Sequence, residues 1–157
     1  LNGRQFANLA ATIPGVGLLT ATAMVATTGG QVSHFKDARH FASWFGLTPR
    51  EFSSGSRQVL GRISKRGDRY LRMLLTHGAR SVLRAATVAR RAGKKIDGLR
   101  TWATTVEGRT NHNKAACALA NKLARICYAT LRDATAYGQP SPRAQRKIER
   151  QTFAVAA

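Results

Sequence analysis

The chain has 157 residues, 43% of them hydrophobic, which is enough to bury a core and suits one domain with an appendage. Its 26 Lys and Arg against 7 Asp and Glu leave a net charge of +19 and a pI near 11.7, a self-repulsion that points to a polyanionic partner, nucleic acid first. No run of about 18 apolar residues and no basic-then-apolar leader is present, which argues against a spanning helix and a secretory signal and makes the cytoplasm the expected compartment.

The chain opens with Leu1, and residues 4–11 already read as helix, so a piece of a longer protein is expected. "IPGVGLLTATAMVATTGG" follows. Pro14, Gly15 and Gly17 predict a tight turn before a run of small residues that Gly29 and Gly30 close. Helix, Gly-rich turn, helix over about 10–30 is the pattern of a helix-hairpin-helix, whose turn can offer backbone N–H groups at Gly15 and Gly17 to a phosphate. A plain connector gives the same pattern. In "HFKDARHFASWFG" a short helix is expected, with Phe41, Trp44 and Phe45 inward and Gly46 as its stop.

Over 48–67, "TPREFSSGSRQVLGRISKRG", the apolar period disappears, and a long ordered loop with at most brief extended pieces is expected. Helical spacing returns over 69–92, with Leu71, Leu74, Leu75, Gly78, Val82 and Ala85 on one face and Arg72, Arg80, Arg84 and Arg91 beside it. "RAGKKIDG" breaks the pattern and a further segment begins near Leu99. Residues 112–136 form the last strong element. There Ala116, Leu119, Leu123, Ile126, Cys127, Thr130 and Ala134 make a stripe opposite Lys114, Asn121, Lys122, Arg125 and Arg132. Cys117 and Cys127 share this segment and are expected to be small core residues. A flexible basic tail is expected over 138–157. The fold class that follows is all-α, with a helix-hairpin-helix element and a long basic Ser/Gly loop, in one domain over 1–137.

The acidic residues Asp37, Glu51, Asp68, Asp97, Glu107, Asp133 and Glu149 are scattered, as are His34, His40, His77 and His112, so no metal site is expected in this chain. The hydroxyls remain. Ser53, Ser54, Ser56 and Ser64 stand among Arg50, Arg57, Arg62, Lys65, Arg66, Arg69 and Arg72. An alcohol can attack a phosphodiester where cations stabilise the non-bridging oxygens, but the loop shows no evident base and serines are ordinary turn residues.

Taken together, "GLTPREFSSGS", "GRISKRGDRYLRMLL" and "ALANKLARI" resemble the C-terminal domain of the "one-ten" family of bacterial insertion-sequence transposases, relatives of Piv-type DNA invertases, over about residues 10–137. The resemblance implies a two-part recombinase. An N-terminal RuvC-like domain, which this chain is expected to lack, would carry an acidic tetrad and divalent metal (Mg), and this helical part would carry a serine nucleophile. It maps that serine onto Ser54, before Gly55, with Ser53 as fallback; many relatives have a second glycine where Ser56 stands here. It further implies DNA and a guide RNA as partners, assembly of several copies in the full-length enzyme, no membrane association, and a bacterial, nucleoid-associated cytoplasmic location. Arg57 is the first choice for charge stabilisation beside Ser54, and Arg50, Arg62, Lys65, Arg66, Arg69 and Arg72 are candidates for phosphate contact. The piece alone is expected to bind nucleic acid more readily than it cuts it. The rival expectation is a noncatalytic basic binding module or an inactive transposon remnant.

Overall fold

The computed structural model describes residues 3–142 and 144–146. In chain order these form α1 (Gly3–Ala11), α2 (Leu18–Thr28), α3 (Ala38–Trp44), β1 (Pro49–Glu51), β2 (Leu60–Ile63), α4 (Arg69–Arg91), α5 (Gly98–Arg109) and α6 (His112–Asp133). Among the described residues the fold is all-α but for one small antiparallel sheet, β1 beside β2. No helix among them is long and apolar enough to cross a membrane.

The two longest apolar stripes set the architecture. Helix α6 buries Leu119, Leu123 and Cys127 with Ala116, Ala120 and Ala124, and packs on α4, α3, α5 and α1. Alanines on its stripe, and Ala79 and Ala86 on that of α4, let the two axes lie close with Leu71, Leu75 and Leu83 filling the space between. The inward face of α4 is rotated from the sequence reading: Ala85 is exposed while Ala79, Leu83 and Ala86 are buried. Ala86, one residue on, takes the inward place and leaves Ala85 in solvent. Ala134, expected on the α6 stripe, instead caps that helix in a left-handed conformation (φ 51°) and is exposed.

Phe41 of α3 is wholly buried, edge-on to Phe35 and to Phe45 at 4.8 Å each. Tyr128 of α6 lies 5.7 Å from Phe41 and donates its hydroxyl to the Phe35 carbonyl at 3.2 Å. Trp44 joins this cluster through Phe35 and Phe45 but keeps 36% exposure at its edge. Burial in the same core pushes the Cys127 thiol up to about 12, so it stays protonated and inert, the small core residue that its spacing suggested.

Helix starts account for much of the scarce negative charge. Asp37 accepts from the Arg39 and His40 amides, Asp68 from Leu71 N at 2.7 Å and Asp97 from Arg100 N at 2.8 Å, so three of the seven acidic residues are N-caps. Each such cap is worth about 1 kcal/mol. The two backbone bonds hold the Asp37 carboxyl below its usual range, with the His40 amide as the larger cause. In the tail, Gln145 N donates to Ser141 O at 2.9 Å, a helical turn; residue 143 and residues 147–157 of the basic tail lie outside the described residues.

Candidate functional site

The extended pieces expected within 48–67 are paired into a β-hairpin. Pro49 faces Ile63 and Glu51 faces Leu60, with one irregularity between these pairs, and Phe52 N donates to Val59 O at 2.8 Å. At the tip Ser54 and Arg57 exchange both backbone bonds, each 3.1 Å, which leaves Gly55-Ser56 as a two-residue loop. Gly55 has φ 57° and Ser56 has no positive φ, the signature of a II′ turn with glycine in the first central position. At the base, Ser64 N donates to Thr48 O (2.8 Å) and Lys65 N to Gly46 O (3.0 Å). Asn121 of α6 ties Leu47 O down at 3.3 Å. The hairpin projects from the helical body, and every residue from 49 to 62 is exposed.

Strand alternation separates the two candidate serines. Ser53 Oγ donates to Glu51 Oε1 at 2.7 Å and accepts from Val59 N at 3.1 Å, so its hydroxyl is built into the sheet. Ser54 lies on the other face. Its hydroxyl has no hydrogen-bond partner among the described residues, and the residue directly opposite it, on the same face, is Arg57. Ser53 has a carboxylate in reach as a base, but the residue in register across from it is the uncharged Gln58.

The other sequence candidates divide into three groups. Arg50 and Arg62 lie on the strands, and Lys65, Arg66 and Arg69 run from the hairpin base into the first turn of α4; all five are exposed. Arg72 is different: its Nη1 donates to the Phe45 carbonyl at 3.0 Å, where a cation also suits the end of α3, so part of its guanidinium is committed to the fold. Gly15 (φ 82°) turns inward against α4, where an added Cβ would meet Gly78 O and Val82 Cγ2 at 2.8 Å each. Gly17 is the exposed N-cap of α2, where an added Cβ would meet nothing within 4 Å. The Gly15 contact lies roughly 14 Å along α4 from Arg69, nine residues at about 1.5 Å each, and half a turn around it, so turn and hairpin are separate features.

Neighbouring charges form no metal site: among the described residues no group of three or more His, Cys, Asp or Glu could hold an ion. His112 Nδ1 pairs with Glu107 Oε1 at 2.7 Å beside a shallow groove lined by Arg80, Arg84, Arg91 and Lys94. Two residues that the sequence did not single out belong to the hairpin surface: Phe52, exposed by 65%, and Gly61, over which the Phe52 ring lies.

Comparison with known proteins gives a consistent likeness. Residues 7–94 match the family described as Transposase IS116/IS110/IS902. The chain is 45% identical over 125 residues to a probable family 20 transposase of Pseudomonas aeruginosa, a match covering 80% of this chain and 35% of that protein. It is 43% identical over 119 residues to the transposase for insertion sequence element IS1111A of Coxiella burnetii, covering 76% and 31%. With the transposase for IS1328 of Yersinia enterocolitica it shares 38% over 128 residues, covering 82% and 36%. The chain therefore spans about a third of the length of these relatives.

Proposed function

Because the chain belongs to the IS116/IS110/IS902 transposase family, we propose that it is the nucleic-acid-binding part of a recombinase that cuts and rejoins DNA strands through the hydroxyl of Ser54 as an insertion sequence moves. The observation that carries this reading is the free hydroxyl of Ser54 at the tip of a projecting hairpin, opposite Arg57. The Ser54 oxygen attacks the phosphorus of a DNA phosphodiester, an Oγ–P bond forms, and the P–O bond to one deoxyribose breaks. The Ser54 proton passes to a base, and the departing sugar oxygen takes up a proton. Attack by a sugar hydroxyl then reverses the exchange and frees the serine. Arg57 supports the non-bridging oxygens, as a guanidinium fork suits phosphate. The divalent metal implied by the resemblance has no fitting ligand group among the described residues.

Arg50, Arg62, Lys65, Arg66 and Arg69 give this reading its backbone grip, and the turn at Gly15 and Gly17 adds a phosphate contact through main-chain N–H groups. A net charge of +19 is ample for a second polyanion, an RNA of the element, and exchange between two duplexes calls for several protomers. Replacing Arg66 and Arg69 together by Ala is expected to weaken DNA binding and flatten log K against log salt by roughly one unit for each phosphate no longer neutralised. Titration of affinity across salt concentrations checks this, and an unchanged slope places both side chains in solvent only.

The reading is tested by incubating the full-length transposase that contains this chain with its element-end DNA and denaturing the mixture. A protein–DNA adduct that survives denaturant is expected. DNA bound tightly with no adduct formed under conditions where strands are cut would leave the chain a noncatalytic binding module.

A further inference from the structure

The geometry points to Phe52 as a stacking platform for an unpaired base beside the phosphate that Ser54 meets, which makes a locally melted strand, rather than an intact duplex, the substrate of this face. The inference rests on the reading of Ser54 given above and deepens it.

The hairpin register decides which side chains share this face. Ser54 and Arg57 form one cross-strand pair and Phe52 and Val59 the next, with the backbones of the latter bonded at 2.8 Å. Alternation puts Arg50 on this face too. Two observations fix the sides independently: the Ser53 hydroxyl bonds Glu51 on the opposite face, and a Cβ added to Gly61 would meet the Phe52 ring at 2.8 Å. The phenyl ring therefore lies across the bare backbone of Gly61, supported from below and open above.

That ring is 65% exposed, although burying a Phe side chain is worth about 2 kcal/mol or more. No aromatic partner contacts it among the described residues; Phe35, Phe41, Trp44 and Phe45 make their own cluster beneath the hairpin. Phe52 and Ser54 stand about 7 Å apart along the strand, two residues at roughly 3.4 Å each, so one nucleotide can touch both. Arg50 precedes the ring by two residues on its strand and Arg57 stands opposite Ser54, while Glu51 points to the other face. An apolar ring bounded by cations suits a base between phosphates, and a protein partner would have to bury those arginines. A base inside a duplex offers its π-face to its neighbours, so the ring needs a base that has left the stack.

The test uses the full-length transposase that contains this chain and two probes, a DNA duplex with a central unpaired bubble and the same duplex fully paired, with binding followed by fluorescence anisotropy. Phe52→Leu and Phe52→Trp separate stacking from plain apolarity, and both are expected to fold because the ring is largely in solvent. Phe52→Leu is expected to lose about tenfold in affinity for the bubble while changing little for the paired duplex, and Phe52→Trp to keep the preference. The salt slope stays constant in both, since every cation that meets a phosphate is retained. A bubble preference that survives Phe52→Leu overturns the inference, as does a Phe52→Leu effect confined to self-association of the protein. Ser54→Ala run in parallel keeps the two readings apart: strand transfer retained by that variant removes the nucleophile, whereas the bubble ratio alone decides Phe52.

Discussion

Ser54→Ala in the full-length transposase is expected to lower strand transfer by about three orders of magnitude or more, with DNA affinity kept within a few fold. The size follows from the role. Removing a nucleophile deletes the bond-forming atom itself, whereas removing a positioning group leaves the reaction possible but slower. Binding survives because the Ser54 hydroxyl bonds nothing in the hairpin, and the turn is held by main-chain bonds between Ser54 and Arg57 that alanine preserves. Ser53→Ala makes the informative contrast. It removes the acceptor for Val59 N and the donor to Glu51, so its effect should be a looser hairpin and a partial loss of activity. Strand-transfer assays on the two variants check this, and full transfer by Ser54→Ala with loss in Ser53→Ala would exchange their roles.

Gly78→Ala is expected to destabilise the chain by about 3 kcal/mol, which for a domain of this size is a drop of roughly 6–12 °C in Tm. Two effects oppose each other here. In a helix interior alanine is better than glycine by about 1 kcal/mol, so propensity alone predicts a gain. The site reverses the sign. A Cβ on Gly78 would run into the carbonyl oxygen of Gly15, main chain against main chain, with no flexible side-chain end to move aside. Helix α4 and the turn before α2 would have to separate, loosening Ile13 and Val16 from the core. Thermal unfolding of the single variant decides it: a raised Tm would mean that this crossing is not close.

The helices were legible because each buries one face, so the 3.6-residue period is written into their side chains. Asp68, Asp97 and Asn111 mark helix starts where the stripes begin. What the stripe of α4 hid was its rotation, since alanines at 79, 85 and 86 look alike in sequence and only packing on α6 selects two of them. The hairpin was hidden for a different reason. Strands of three and four residues with both faces in water need no apolar alternation, so "REFSSGSRQVLGRI" carries almost no period to read. Its usable signal was local, a glycine followed by a serine between two short extended runs, the composition of a II′ turn.

The candidate site divides in the same way. Clustered basic residues announced a polyanion, and resemblance carried the serine to Ser54, but composition could not say that Ser53 and Ser54 face opposite ways. Nor could it show that Arg57 returns across the turn to Ser54, a pairing made by register rather than by spacing in a helix. Arg72 looked identical to its neighbours in sequence, and only the Phe45 carbonyl distinguishes it.

The proposed function requires Ser54 to become covalently joined to DNA. Its most direct test is to trap the adduct, digest with trypsin and nuclease, and fragment the peptide spanning residues 51–57, "EFSSGSR", which lies between Arg50 and Gln58. A nucleotide mass on the hydroxyl of Ser54 is the expected result. A modification on Ser53, on Ser56 or on any peptide outside this one would contradict it.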